Sequence, residues 1–269
     1  MEYYFLPTEE SRKMNLLKRT PLIFALLTLT LAHAPVHAQD IRTGDALLRA
    51  MHDRYQSSWY KTLTFTQEST TYKPDGTHTS ETWYEAALLP GKLRIDVGPP
   101  ANGNGYVLSD GTVTVVKDNK ITGSRPLVNI LLVLGFDVYT QAPETTIKVV
   151  QGEGYDLTKL REDTWEGHPA YVVGADKGDL TSRQFWVTKD TLLFVRVIEP
   201  TQSDPKKLND IRFTHYRHAG HGWIAARVEI YSDDKLVFSE DYTSIKPNAK
   251  LEPAVYDPQQ FSTTHWEKP

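Results

Sequence analysis

Three histidines spaced three residues apart are the first candidates for metal chemistry in this sequence. His215, His218 and His221 lie in a segment whose residues alternate as in a β-strand. Successive side chains of a strand point to opposite faces, so this spacing separates His215 from His218. Gly220 and Gly222 place His221 in a turn, and no carboxylate or cysteine stands at a spacing that would complete a zinc site. The pattern therefore predicts no metal site.

The residues that could perform nucleophilic or acid–base catalysis are scattered along the chain. No Gly-x-Ser-x-Gly element is present, and the serines fall in turns or in threonine-rich strands. The visible acidic pairs are Glu162-Asp163, Asp233-Asp234 and Glu240-Asp241. The first two fit turn positions and the third points its side chains to opposite strand faces, so all are predicted to be solvated. We expect a protein that is not an enzyme and has no cofactor, while the number of acidic residues leaves a glycosidase-like pair open.

Charge and cysteine content limit the classes of partner. The chain has 30 Lys and Arg against 34 Asp and Glu, a net charge of −4, and no block of basic residues. Nucleic acid and anionic membrane surfaces are therefore not expected as partners. The chain has no cysteine, so disulfides do not stabilise it and no cysteine can carry the acyl chains of a bacterial lipoprotein.

The N-terminal 38 residues have the order of features found in a secretory signal. A basic pair at 18–19 precedes an apolar run at 21–31, and small residues lead up to Ala38. The run is shorter than the roughly 20 residues needed to span a bilayer as a helix. We therefore expect cleavage after Ala38, a periplasmic protein and no stable membrane anchor; an uncleaved anchor is the alternative.

The signal pattern also bears on where the protein starts and how it is divided. Met14 stands directly before the basic pair, whereas residues 1–13 are acidic and aromatic. We predict that residues 1–13 are a start-site extension and that residues 39–269 form a single domain.

The elements that must position any site begin with a helix. Residues 40–55 place Leu47, Leu48, Met51 and Tyr55 at three- and four-residue spacing, with Thr43 as a candidate N-cap. This amphipathic stripe predicts a helix packed on a sheet.

Period-two alternation then predicts a mainly β fold. In the first half, strands are expected at 62–66, 92–97, 106–108, 112–117 and 120–122. In the second half, they are expected at 146–151, 155–161, 169–175, 182–188, 192–199, 210–218, 222–231 and 236–245. Turn residues between strands at near-regular spacing indicate an antiparallel meander or barrel.

Residues 127–138 interrupt this pattern. The run is too continuously apolar for an alternating strand and follows Pro126, so it predicts a short helix that ends at Gly135. A helix that is apolar on all sides must be buried or must cover something apolar. The segment is therefore a candidate lid.

Five short motifs, in order, resemble the LolA/LolB-like superfamily of periplasmic lipoprotein carriers, and in particular the group of outer-membrane lipoprotein-sorting proteins. The motifs are Phe65-Thr66-Gln67, Pro90-Gly91-Lys92-Leu93-Arg94, Ser109-Asp110-Gly111, Trp165-Glu166-Gly167 and Tyr256-Asp257-Pro258. The resemblance covers essentially the whole chain after residue 38.

The resemblance implies an incomplete antiparallel β-barrel with helices on its open side and a hollow for acyl chains. It implies a carrier or chaperone that transports a lipid or an acylated protein between envelope partners. Arg94 is the nearest candidate for the family's cavity arginine. The same superfamily includes envelope-stress sensor domains, so a protein-interaction module is the alternative function.

Alternation along the strands and the apolar run supplies the candidate lining of such a hollow. The candidates are Leu63, Phe65, Leu93, Ile95, Val113, Val115, Leu131, Leu134, Phe185, Val187, Val195 and Val197. For any single residue an ordinary core position is the favoured interpretation, and a sequence does not distinguish a filled barrel from a hollow one.

Overall fold

The computed structural model describes residues 41–201 and 207–266. The predicted signal peptide at 1–38, its cleavage after Ala38 and the start at Met14 lie outside the described residues. The described part is mainly β, with three α-helices and thirteen strands. None of its helices is long and apolar enough to cross a membrane.

The first helix, α1 (Gly44–Tyr55), forms where the apolar stripe predicts it. The Thr43 side chain caps it by accepting a hydrogen bond from the backbone N–H of Ala46 at 3.2 Å. Leu47, Leu48 and Met51 are buried in the main core. The predicted cap and stripe are both confirmed.

The strands form two groups, one from each half of the chain. The first group is β1 (Thr62–Tyr72), β2 (His78–Leu88), β3 (Lys92–Val97), β4 (Gly105–Ser109), β5 (Thr112–Lys117) and β6 (Lys120–Pro126). The second group is β7 (Leu160–Trp165), β8 (His168–Val173), β9 (Gln184–Thr188), β10 (Phe194–Pro200), β11 (Leu208–Ala219), β12 (Gly222–Ser232) and β13 (Lys235–Pro247). Between the groups lie α2 (Ile130–Gly135) and α3 (Pro143–Gly152).

All of these strands belong to one antiparallel sheet. Its order is β6-β5-β4-β3-β2-β1-β13-β12-β11-β10-β9-β8-β7. Each half of the chain is a meander, and the two meanders meet where β1 pairs with β13. β6 and β7 are the two edges, so the sheet stays open, as the predicted incomplete barrel requires.

One predicted strand is wrong. Residues 146–151 lie in α3, because Pro143 starts a helical turn whose buried residues are Thr146, Ile147 and Val150. β-branched residues made the segment resemble a strand, but burial on one helical face outweighs that local preference. The predicted strand at 155–161 is displaced: residues 155–159 are not in a strand, and β7 runs from Leu160 to Trp165.

The sheet has two faces with different coverings. The concave face carries the main core together with α1, α2 and α3. On the convex face, the C-terminal segment packs over the first meander, with Val255 and Tyr256 against Ala86 and Phe261 against Val107. A separate convex cluster joins Trp186, Val195, Ala170 and Val172 in the second meander.

Candidate ligand cavity

The concave face encloses an apolar cavity of about 100 Å³ beside α2, here called the first cavity. Its lining comes from β1, β2, β3, β11, β13 and the α2 segment: Phe65, Trp83, Glu85, Ala87, Leu93, Ile95, Asn129, Leu131, Leu132, Phe136, Phe213, Glu240 and Tyr242. An apolar cavity of about 150 Å³ is known to admit benzene, so the first cavity in this closed form is too small for an acyl chain.

Strand register explains why these side chains meet. Phe65 on β1 stands opposite Glu85 on β2, and Glu85 stands opposite Ile95 on β3. Ala87 stands opposite Leu93 in the same way. Because side chains two residues apart share a face, these rows all point to the concave side.

A second cavity, of about 150 Å³, lies on the other side of α2. Its lining is Gly91, Leu108, Ser109, Gly111, Thr112, Leu127, Val128, Asn129, Leu132, Val133, Asp137, Gln141 and Val149. Asn129 and Leu132 line both cavities. The helix is therefore the wall between two voids.

α2 is short and depends on its cap and its apolar contacts. The Asn129 side chain accepts hydrogen bonds from the backbone N–H groups of Leu131 at 3.1 Å and Leu132 at 3.2 Å. Ile130, Leu132, Val133 and Leu134 are buried. A helix of this length is not stable alone in water, so packing in the hollow holds it in place.

Two carboxyl groups, on neighbouring concave strands, line the first cavity. Glu85 is 6% exposed, and its carboxylate makes no hydrogen bond or ion pair with a described residue. Burial raises the pKa of Glu85 well above its ordinary value, and the nearby charge of Glu240 raises it further. Burial also raises the pKa of Glu240 to about 7, opposed by the hydrogen bond that the Tyr242 hydroxyl donates to Glu240 Oε2.

A third buried carboxyl group lies in the second cavity. Asp137 Oδ1 accepts a hydrogen bond from the backbone N–H of Gly91 at 3.0 Å. Burial raises the pKa of Asp137 to about 7, and this hydrogen bond opposes the rise. Asp137 thus connects the segment after α2 to the turn between β2 and β3.

The predicted lining residues fall into two groups. Phe65, Leu93, Ile95 and Leu131 line the first cavity. The other core-facing candidates pack in the main core without lining either cavity: Leu63, Val113, Leu134, Phe185, Val187 and Val197. These six side chains therefore belong to the packed core.

One candidate departs from the expected face because a bulge interrupts the alternation. Between Phe194 and Arg196 the pairing with β9 shifts, so Val195 points to the convex cluster with Trp186. Val115 keeps the expected face, because it stands opposite Tyr106, which stands opposite Ile95, but it is half-buried and lines neither cavity.

Arg94 does not face the hollow, which corrects the cavity-arginine expectation. It is fully buried on the convex face, where it forms a two-point ion pair with Asp96 at 2.8 Å. It also donates to the carbonyl oxygens of Thr264 at 2.8 Å and Phe261 at 3.0 Å. Its guanidinium carbon lies 3.9 Å from the centre of the Phe261 ring. Arg94 therefore fixes the C-terminal segment to the sheet.

The polar residues that sequence reasoning set aside are distributed differently from the expectation. Glu240 and Asp241 do point to opposite faces, but Glu240 is only half-exposed and lines the first cavity. Asp241 pairs with Arg227 on the other face. The sequence did not identify Glu85 as a site residue. Glu85 is two residues from Ala87 on the same strand, and this spacing indicates that the two side chains share a face.

The histidine triplet forms no cluster. His218 packs on Trp223 with ring centres 3.8 Å apart, and the His215 ring hydrogen-bonds the Thr214 hydroxyl at 3.0 Å. Within residues 41–201 and 207–266, no group of three His, Cys, Asp or Glu side chains could hold a metal ion.

Comparison with known proteins gives a fold likeness and no sequence match. No protein-family model matches the chain. No curated protein matches it either. Solved structures match with probability 1.00.

Three of these structures are similar over most of their length. A DUF1329 family protein from Desulfovibrio piger has 17% identity and a TM-score of 0.54, over 80% of this chain and 95% of its own. A LolA superfamily protein from Nitrosomonas europaea has 13% identity and a TM-score of 0.53, over 78% and 96%. A domain described as an outer-membrane lipoprotein-sorting protein, from Vibrio parahaemolyticus, has 11% identity and a TM-score of 0.51, over 81% and 98%. The LolA-like fold implied by the sequence motifs is thus confirmed.

Proposed function

We propose that this chain is a periplasmic, non-enzymatic binding protein that carries the acyl chain of a lipid or lipoprotein in the hollow of its sheet. The secretory pattern at the N-terminus supports export, and the fold it shares with a lipoprotein-sorting domain supports the ligand class. Within the molecule, the proposal rests on α2.

The observation that carries the proposal is the position of α2 between the two cavities. Its apolar side chains occupy the space that an acyl chain would need, and Leu132 borders both voids. Moving α2 aside would join the cavities and add the volume that the helix now fills. We therefore assign α2 as the lid of the hollow.

The energies of the two states are comparable, as reversible binding requires. Exposing the four buried apolar side chains of α2 costs roughly 6 to 12 kcal/mol, at about 1.5–3 kcal/mol each. Burying an acyl chain of about 15 methylenes gains roughly 12 kcal/mol, at about 0.8 kcal/mol each. Ligand and lid thus compete for one surface with similar free energies, so small contacts with a donor or acceptor can shift the balance.

Native mass spectrometry of the gently extracted protein tests the proposal. The wild-type chain should retain lipid, and Leu131→Glu should abolish retention because it places a charge in the first cavity. Leu180→Glu is the matched control, since Leu180 is 49% exposed and lines neither cavity. Lipid retention by Leu131→Glu equal to that of the control would remove α2 as the lid, and a lipid-free wild type would remove the carrier.

The edge strand β6 favours a second candidate function, a protein-interaction or envelope-stress-sensing module. All seven residues of β6 are exposed, and the strand forms one end of the sheet. An extended segment of another protein could pair with such an edge. This function predicts little bound lipid and a protein partner whose binding is lost on substituting Ile121→Pro in β6.

A further inference from the structure

The first cavity is lined by a hydrogen-bond acceptor that no described residue supplies with a donor. Glu85 is buried among Phe65, Ala87 and Ile95, and no described residue donates a hydrogen bond to its carboxylate. A buried carboxyl group without a donor is costly, so its position in a cavity points to a group supplied from outside. Glu240 is the second carboxyl on the same wall.

A further buried acceptor shares this concave face. Gln67 is two residues from Phe65 on β1 and directly opposite Trp83 and Tyr242 on the neighbouring strands. Its Nε2 donates to the Ser69 hydroxyl at 2.7 Å, while its Oε1 is buried without a partner. Gln67 Oε1 is thus a second hydrogen-bond acceptor on this face that has no donor among the described residues.

The charges that face these acceptors are all acidic or neutral. Among the described lining residues, the titratable groups are Glu85 on β2 and Glu240 and Tyr242 on β13; β1, β3, β11 and the α2 segment contribute none. No lysine, arginine or histidine of the described chain lines the cavity. Because the pKa of Glu240 is raised to about 7, this carboxyl group is partly protonated near neutral pH, so an entering cation would replace its proton.

The exposure of the lining defines a direction for the ligand. Trp83 and Ile95 are half-buried, whereas Ala87 and Leu93 are buried. Glu85 lies between Trp83 and Ala87 along β2. A polar group at the carboxyl groups would therefore be near the mouth, and an attached alkyl chain would extend towards α2.

We propose that the hollow selects amphiphiles that carry a primary ammonium group, with the ammonium at Glu85 and Glu240 and the alkyl chain against Leu93 and Leu131. A primary ammonium offers three donors and one positive charge. It matches Glu85, to which no described residue donates, and Glu240, to which only the Tyr242 hydroxyl donates; no cationic side chain of the described lining balances either carboxyl group. The ammonium belongs either to a free long-chain amine or to an aminolipid headgroup. This assignment rests on the acyl-binding function proposed above and adds the headgroup chemistry.

Titration calorimetry with three probes of equal chain length tests the assignment on the full chain. Dodecylamine should bind at least tenfold more tightly than dodecanol at pH 7.5, and dodecanoic acid should bind more weakly than both. Glu85→Gln and Glu240→Gln should each reduce the ratio of amine affinity to alcohol affinity at least tenfold. Asp241→Asn is the matched control and should keep the preference, because Asp241 adjoins Glu240 on β13 but pairs with Arg227 and lines neither cavity.

Proton release gives an independent measurement. Binding of dodecylamine near pH 6.5 should release protons, so its apparent enthalpy should change between buffers of different ionisation enthalpy; dodecanol should show no such change. Glu240→Gln should reduce this buffer dependence. A merely structural role for the two carboxyl groups would leave it unchanged.

The outcomes separate this inference from the function on which it rests. Equal affinity for amine and alcohol, or an unchanged preference in both Gln variants, overturns the ammonium site and leaves the acyl carrier standing. Failure of every probe to bind overturns the carrier itself. Extraction of lipid from phosphatidylethanolamine vesicles but not from phosphatidylglycerol vesicles identifies an aminolipid headgroup as the source. Binding of dodecylamine without such extraction identifies a free amine.

Discussion

Leu132→Ala should convert the two small cavities into one usable site. Leu132 is 6% exposed and borders both voids, so removing its side chain beyond Cβ opens the wall between them. Voids of about 100 and 150 Å³ then become a continuous space of at least about 250 Å³. The variant tests whether α2 is the barrier to ligand entry.

Leu132→Ala should lower the free energy of unfolding and increase the affinity for an alkyl ligand. Leu→Ala substitutions in cores cost about 2–5 kcal/mol, and a side chain with voids on two sides loses few contacts, so we expect about 2–3 kcal/mol here. A space that admits even two methylenes without displacing α2 gains about 1.6 kcal/mol, which is more than tenfold in affinity. Dodecanol should therefore bind Leu132→Ala at least tenfold more tightly than wild type.

Leu134→Ala is the control within the same helix. Leu134 is fully buried and lines neither cavity, so its removal should cost about 4 kcal/mol and leave only an isolated void. Urea unfolding followed by tryptophan fluorescence measures both costs, and the dodecanol-induced rise in the urea midpoint measures uptake. Equal uptake by the two variants, or no gain in Leu132→Ala, would refute the assignment of α2 as the barrier.

Two further predictions concern buried charged groups that affect the stability of the fold. Arg94→Ala should destabilise the fold by about 3–5 kcal/mol, because it leaves Asp96 buried without a counter-charge. It should also expose residues 261–266 to proteolysis, because the hydrogen bonds from Arg94 to Thr264 and Phe261 are lost. An unchanged urea midpoint would show that other contacts hold the C-terminal segment. The second prediction concerns pH. The pKa of Asp137 in the folded protein, about 7, lies above its ordinary value of 3.8. The contribution of this group to the free energy of unfolding is therefore present in acid and is lost as the pH rises through 7. The free energy of unfolding should fall by roughly 2–3 kcal/mol between pH 5 and pH 8 on account of this group, and Asp137→Asn should flatten that dependence; an identical pH profile in the variant would contradict the assignment.

Strand periodicity made the fold class predictable, and bulges limited what could be said of individual side chains. Leu93 and Ile95 on the regular strand β3 point to the hollow as alternation requires. One extra residue in β10 turns Val195 away from the face of Val197, and no rule of alternation shows where such a residue is inserted.

The polar half of the site was harder to predict for a different reason. A glutamate in a strand is ordinarily solvated, so Glu85 and Glu240 gave no sign of facing a cavity. Their neighbourhood arises from the pairing of β1 with both β2 and β13, which joins residues more than 150 positions apart. Arg94 was expected in the hollow but lies on the convex face. Its partners there belong to the C-terminal segment, which no local sequence pattern connects to β3.

The pairing of β1 with β13 also governs the order in which the molecule can assemble. Every other neighbouring pair in the sheet joins strands consecutive in sequence, and such hairpins form through short loop closures. The seam between the meanders joins the earliest strand to the latest, so it carries the largest loop-closure entropy and is expected to form last. A nascent chain therefore cannot complete the sheet until residue 247 is free, and a chain shortened before residue 235 would leave β1 as an unprotected edge.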